Sequence, residues 1–223
     1  MSATAGLPAP AAEPGRDCPR CPRLVAFRAA NRDAEPGWHN APVPSFGDLD
    51  GTLLVVGLAP GLRGANRTGR PFTGDYAGNL LYDTLARFGF ARGRYEARPE
   101  DGFELVGCRI TNAVRCVPPE NKPTPAETTA CRPFLTTEIG RMRHLRVILA
   151  LGAVAHASAV VALGERPTKH PFRHGALHRM GCGLLLADSY HCSRLNTNTG
   201  RLTAPMFVQV FEDVVAAIAR PRS

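Results

Sequence analysis

Apolar and polar positions along the chain alternate between two rhythms. "TLLVVGLAP" (52–60) is an unbroken apolar run of strand length that stops at a Gly/Pro turn, the pattern of a strand buried on both faces. "CRITNAV" (108–114), "RVILALG" (146–152) and "GLLLADSY" (183–190) read as three more. Between and around them the spacing becomes helical, in "CPRLVAFRAANRD" (21–33), "YAGNLLYDTLARFG" (76–89), "PAETTACRPFLTTEIGRM" (125–142), "AVAHASAVVALG" (153–164) and "APMFVQVFEDVVAAIAR" (204–220). Asp75 is placed to cap the second of these helices and Gly89 to stop it, while Pro125 suits the first turn of the third. The Pro/Gly-rich stretch 34–51 is expected to be irregular. Alternating strands and helices predict a three-layer α/β/α sandwich around a mainly parallel four-stranded sheet.

The chain of 223 residues is long enough for one sizeable core. Residues 1–16, small and Pro/Ala-rich, read as a flexible leader and 17–223 as a single domain. The leader lacks the basic and apolar regions of a signal peptide, and no apolar run reaches membrane-spanning length, so a cytoplasmic protein without a membrane partner is expected. A formal charge of +8, carried almost wholly by arginine, suits a polyanionic partner such as nucleic acid, although a composition-biased genome would also enrich arginine.

Sites in parallel α/β sheets lie just beyond the carboxyl ends of the strands. Here those ends carry "GLAPGLRGANRTGRPFTGD" (57–75), "TNAVRCVPP" (111–119) and "SYHCSRLNTNTG" (189–200), where the suggestive polar residues gather. Seven cysteines, an odd number, argue against a disulfide framework. Cys18 and Cys21 form C-x2-C, and Cys116 and Cys131 are separated by fourteen residues. That spacing leaves zinc and a [4Fe–4S] cluster equally open. Cys108 and Cys182 fit better as small apolar residues.

Taken in order, "GLAPGLRGANRTGRPFTGD", "ITNAVRCVPPENKPTP", "HCSRLNTNTGRLT" and the four spaced cysteines resemble the uracil-DNA glycosylase superfamily, and within it family 5 (type B). The resemblance runs from Cys18 onward. It implies a [4Fe–4S] cluster on Cys18, Cys21, Cys116 and Cys131, and a monomeric enzyme that removes uracil, and deaminated bases such as hypoxanthine, from DNA. Leu58, Ala59, Pro60, Phe72, Asn112 and His191 would hold the flipped base, with Phe72 stacking on it. Asn112 would read its edge, and His191 would hydrogen-bond the base oxygen that gains charge. Relatives place a polar, water-activating residue where this chain has Leu58, an absence shared by type B, and Asp75 is the matching acidic candidate. Gly61, Ser193, Arg194, Leu195, Asn196, Thr197, Thr199 and Arg201 would contact DNA, Leu195 as a wedge. Cys192 stands where the family motif commonly has proline, which would leave the His191 loop less constrained. The missing polar side chain at Leu58 also fits a second reading, an iron–sulfur protein that binds lesions without excising them. A redox protein is a third, disfavoured by the charge and the site loops.

Overall fold

The computed structural model describes residues 13–221. In chain order the helices and strands are α1 (Pro22–Ala34), β1 (Leu53–Gly57), α2 (Ala65–Thr68), α3 (Tyr76–Arg87), β2 (Ala91–Arg92), β3 (Glu104–Leu105), β4 (Cys108–Asn112), α4 (Pro125–Arg141), β5 (Val147–Leu151), α5 (Ala153–Ala162), β6 (Leu177–Arg179), β7 (Leu185–Ser189), α6 (Arg194–Asn198) and α7 (Ala204–Ala219). The central sheet has the order β4-β1-β5-β7-β6. Its first four strands are the four expected ones and run parallel. The sheet is five-stranded and not four-stranded, because β6 adds an antiparallel edge against β7. Its three residues, Leu-His-Arg, are too few and too polar to stand out as a strand, and pairing with β7 creates it.

The continuous apolar runs are explained by burial on both faces. Leu53 and Val55 of β1, with Val147 and Leu149 of β5, pack beneath α3 and α7. Their alternates Leu54, Val56, Ile148 and Ala150 pack against α4 and α5. Strand residues point alternately to opposite faces, so one strand supplies both cores. Helix starts follow local chemistry. Asp75 caps α3, its carboxylate accepting from Gly78 N–H, and Thr124 with Glu127 forms a capping box on α4.

A buried ionic network ties α4 to β4. Glu138 accepts from Arg109 Nε at 2.6 Å and from Arg115 Nη2 at 2.7 Å. Glu13 closes the network with bonds from Arg109 Nη2 at 3.0 Å and Arg115 Nη1 at 2.9 Å. Of the expected leader, residues 1–12 lie outside the described residues, and Glu13 pairs with Arg109 and Arg115 of the domain. Among the described residues no helix is long and apolar enough to cross a membrane.

Candidate active site

Parallel pairing of β1 and β4 sets Gly57 beside Asn112 at the carboxyl edge of the sheet. Asn112 is 3% exposed, and its Oδ1 has no hydrogen-bond partner among the described residues. An unpaired buried acceptor is costly, of order 1–3 kcal/mol, and marks a place prepared for a donor that the folded chain does not supply. Phe72 is buried beside it, with φ +53, a left-handed conformation that a bulky residue seldom adopts. The first turn of α3 braces this backbone, leaving no space for a side chain at Gly78, and Tyr95 Oη donates to Phe72 O at 3.1 Å. Beyond the end of β7, the His191 ring lies 5.8 Å from the Phe72 ring, at 27° to it. His191 opens to solvent at one edge, yet the protein around the rest of its ring lowers its pKa to about 4, so the imidazole is neutral near pH 7.

Gly57 is the member of this pocket that sequence reasoning missed. A Cβ there would stand 2.4 Å from Asn112 Oδ1 and 2.6 Å from Phe72 Cζ. Gly57→Ala is therefore expected to displace both pocket side chains. Excision, the activity that the resemblance implies, should fall about a hundredfold in that variant, since small misplacements of reacting groups cost that much. Its unfolding free energy should drop by only about 1–3 kcal/mol. A variant with unchanged single-turnover rate would show that these two side chains do not set the reaction geometry.

Asp75 stands at the rim, half-buried, where burial raises its pKa and the N–H groups of Gly78 and Ala77 pull it back down. Its carboxylate crosses to the first loop, so close to Gly64 that a Cβ there would lie 2.5 Å from Oδ2. The expected N-cap role is met, and the same carboxylate lies against the first loop. Leu58 directly follows β1, its carbonyl accepting from Val114 N–H at 3.0 Å. Ala59 faces away from the pocket's aromatic side and packs with the cysteines.

Cys18, Cys21, Cys116 and Cys131 are brought from three chain segments to one apolar-walled hollow with Leu24, Val114 and Phe134. Arg115 N–H donates to Cys131 Sγ at 3.3 Å and Arg28 Nη1 to Cys116 Sγ at 3.5 Å. Four thiols gathered on one apolar-walled hollow are the soft donor set that a thiolate-bound metal centre requires.

The family model for the uracil DNA glycosylase superfamily matches residues 44–215. The chain belongs to that superfamily. A type-5 uracil-DNA glycosylase of Thermus thermophilus is 47% identical over 199 residues, covering 86% of this chain and 90% of the relative. The type-5 enzyme of Pyrobaculum aerophilum is 39% identical over 204 residues, 90% and 88% of the two chains. A type-4 uracil-DNA glycosylase of the same organism is 36% identical over 155 residues, 69% of this chain and 65% of its own.

In this superfamily member the His191 motif is fixed by packing. Cys192 is fully buried and its Sγ donates to Ala77 O at 3.4 Å, while Asn196 Nδ2 donates to His191 O at 2.8 Å. The loop is therefore anchored without a proline ring, contrary to the looseness expected of it. Burial, with the nearby Asp75 charge, pushes the Cys192 thiol up to about 12, so it is no nucleophile at neutral pH.

The hydroxyls of the tail hydrogen-bond within it, Ser193 as an acceptor and Thr197 and Thr199 as donors. Ser193 Oγ caps α6 by accepting from Asn196 N–H at 3.4 Å. Thr197 Oγ1 donates to Ser193 O at 3.2 Å, and Thr199 Oγ1 to Leu195 O at 2.7 Å. These bonds leave Arg194 and Arg201, exposed and stacked on Tyr76 and Tyr190, with Leu195, 71% exposed, as the outward-facing groups.

Asp188, one turn of chain before His191, is the hub of a further network. It accepts from His156 Nδ1 at 2.7 Å, His178 Nε2 at 3.0 Å and Arg173 N–H at 3.2 Å. His156 Nε2 meets the His170 carbonyl at 2.6 Å. Both ring nitrogens of His156 thus face acceptors, which calls for an imidazolium; burial opposes the charge, and Asp188 outweighs it to raise the pKa. Sequence spacing gave no signal for this group, whose members lie on three elements.

Proposed function

We propose that the protein is a monofunctional DNA glycosylase that flips uracil out of DNA and hydrolyses its N-glycosidic bond, leaving an abasic site for base-excision repair. It acts on DNA in the cytoplasm as a monomer, and takes other deaminated bases such as hypoxanthine. The observation that carries this reading is the unpaired Asn112 Oδ1, buried between Gly57, Phe72 and His191. An amide offers both an acceptor and donors, matching the ring N–H and carbonyl edge that uracil and hypoxanthine share.

Arg194 and Arg201 hold the backbone, giving affinity that falls with salt, and Leu195 fills the space vacated in the stack. The base lies on Phe72, and Asn112 Oδ1 accepts from its ring N–H. As the bond breaks, its electron pair leaves with the base. Neutral His191 donates its N–H to the base oxygen that takes up the charge. Asp75 as carboxylate stabilises the sugar cation, and water supplies the hydroxyl to C1′ while its proton ends on the departing base. A [4Fe–4S] cluster held by Cys18, Cys21, Cys116 and Cys131 would supply a structural cross-link between the segment before α1, the β4–α4 loop and α4. Arg115 N–H and Arg28 would face its sulfur ligands.

Incubation of the purified protein with a duplex carrying one uracil, followed by alkali, tests the reading. Strand breaks at uracil support it. Tight binding without breaks would favour the lesion-binding alternative, and neither would overturn both. For pH, single-turnover rates are expected to be flat from about pH 6 to 8 and to fall on the acid side as Asp75 takes up a proton. Asp75→Asn should lower the rate and remove that acid limb. Burial pushes the His191 pKa down to about 4, so an inflection near 6.5 that disappears in His191→Gln would contradict a neutral imidazole.

A further inference from the structure

At the opposite end of the sheet from the base pocket, the amino ends of β5 and β7 open into a cavity of about 550 Å³. Its lining includes Arg143, Arg146, Arg179 and Arg220, with no Asp or Glu among the lining residues. Arg146 Nη2 donates to the Arg220 carbonyl. The guanidinium groups of Arg143, Arg179 and Arg220 have no hydrogen bond or ion pair among the described residues. Buried arginines of the chain are matched by carboxylates, as Arg70 by Asp101 and Arg115 by Glu138, whereas this set lines one cavity without an acidic residue. Helices α4 and α7 end at the same rim. Their C-terminal dipoles bring roughly half a negative charge each, which helps to assemble the arginines but leaves the cavity strongly positive. The floor is apolar, formed by Met142, Leu145 and Leu184. A volume in the range of small-molecule sites, a fork of free guanidinium groups and an apolar floor match a ligand with several phosphate oxygens and an apolar body.

We infer that this cavity is a second binding site, distinct from the base pocket, for a nucleotide-like small molecule bearing a di- or triphosphate. The inference does not depend on the uracil reading.

Cys182 is exposed and lines the cavity, and it provides a local readout. Cys108 and Cys192 are buried, so a maleimide reaching the folded holoprotein should mark Cys182, located by peptide mass mapping. ATP at about ten times its dissociation constant should slow that labelling about tenfold, since only the free fraction reacts. Adenosine should not. Arg143→Glu with Arg179→Glu should abolish the protection, and the milder Arg143→Gln with Arg179→Gln should weaken it. Both pairs should keep the cluster absorbance and the excision rate of the parent. Arg194→Ala with Arg201→Ala, on the expected DNA face, should leave protection intact. Absence of protection by ATP, equal protection by adenosine, full protection in the charge-reversed pair, or its loss in the Arg194/Arg201 pair would each overturn the site.

Discussion

His191→Ala is expected to lose two to three orders of magnitude in single-turnover excision of uracil, with little change in thermal unfolding. Removal of one preorganised donor to a developing oxyanion costs about 10²–10³ in rate. His191 qualifies as preorganised on three counts. Its carbonyl is tied by Asn196 at 2.8 Å, the adjoining Cys192 is locked beneath α3, and its ring lies against Phe72. The ring itself makes no hydrogen bond among the described residues, so truncation orphans none of their polar groups and the fold loses only a half-buried contact. A rate within about threefold of the parent would remove His191 from the reaction while leaving the glycosylase reading to Asn112 and Phe72. A large drop in stability would show that the side chain holds the loop and does not act on the base.

Glu138→Ala is expected to be among the most destabilising single changes available, by about 3–5 kcal/mol, because it leaves buried guanidinium charge unpaired. Arg115 is 1% exposed and Glu138 is fully enclosed, so water cannot take the place of the lost carboxylate. Arg109 loses its Nε partner at the same time, and only the half-exposed Glu13 remains to both. For a chain of this size the loss corresponds to a fall on the order of 10 °C in the unfolding midpoint. It should also reach the cysteine site, since Arg115 N–H bonds Cys131 Sγ and Cys116 is the next residue. Visible absorbance per mole should therefore drop in purified Glu138→Ala. Unchanged midpoint and absorbance would mean that Glu13 alone can neutralise the pair.

Local rules made much of this protein legible without its structure. The four parallel strands were readable because burial on both faces leaves an uninterrupted apolar run. The α3 cap was readable because a carboxylate at that position satisfies helix N–H groups within its own turn. The loops at the strand ends were readable as a site because parallel sheets open there.

Other features depend on neighbours that are distant in sequence. β6 exists through its pairing with β7. Gly57 matters because β4 and the loop bearing Phe72 both press against its Cα. The hydroxyls of Thr197 and Thr199 donate to carbonyls within the short α6 turn, partners that a hydroxyl in a sequence does not announce. The arginine cavity joins the ends of α4 and α7 to β6 and β7, which no spacing along the chain encodes. The sequence by itself determined the elements, which follow from residue propensity and interactions within a turn, and the candidate edge of the sheet, which follows from parallel strand order, while the four candidate ligand cysteines came from its resemblance to a known family. Which side chains meet across the strands, and which polar atoms are left unpaired, was decided only when the crossover connections stacked those elements, because contact between them is a property of the whole packed core.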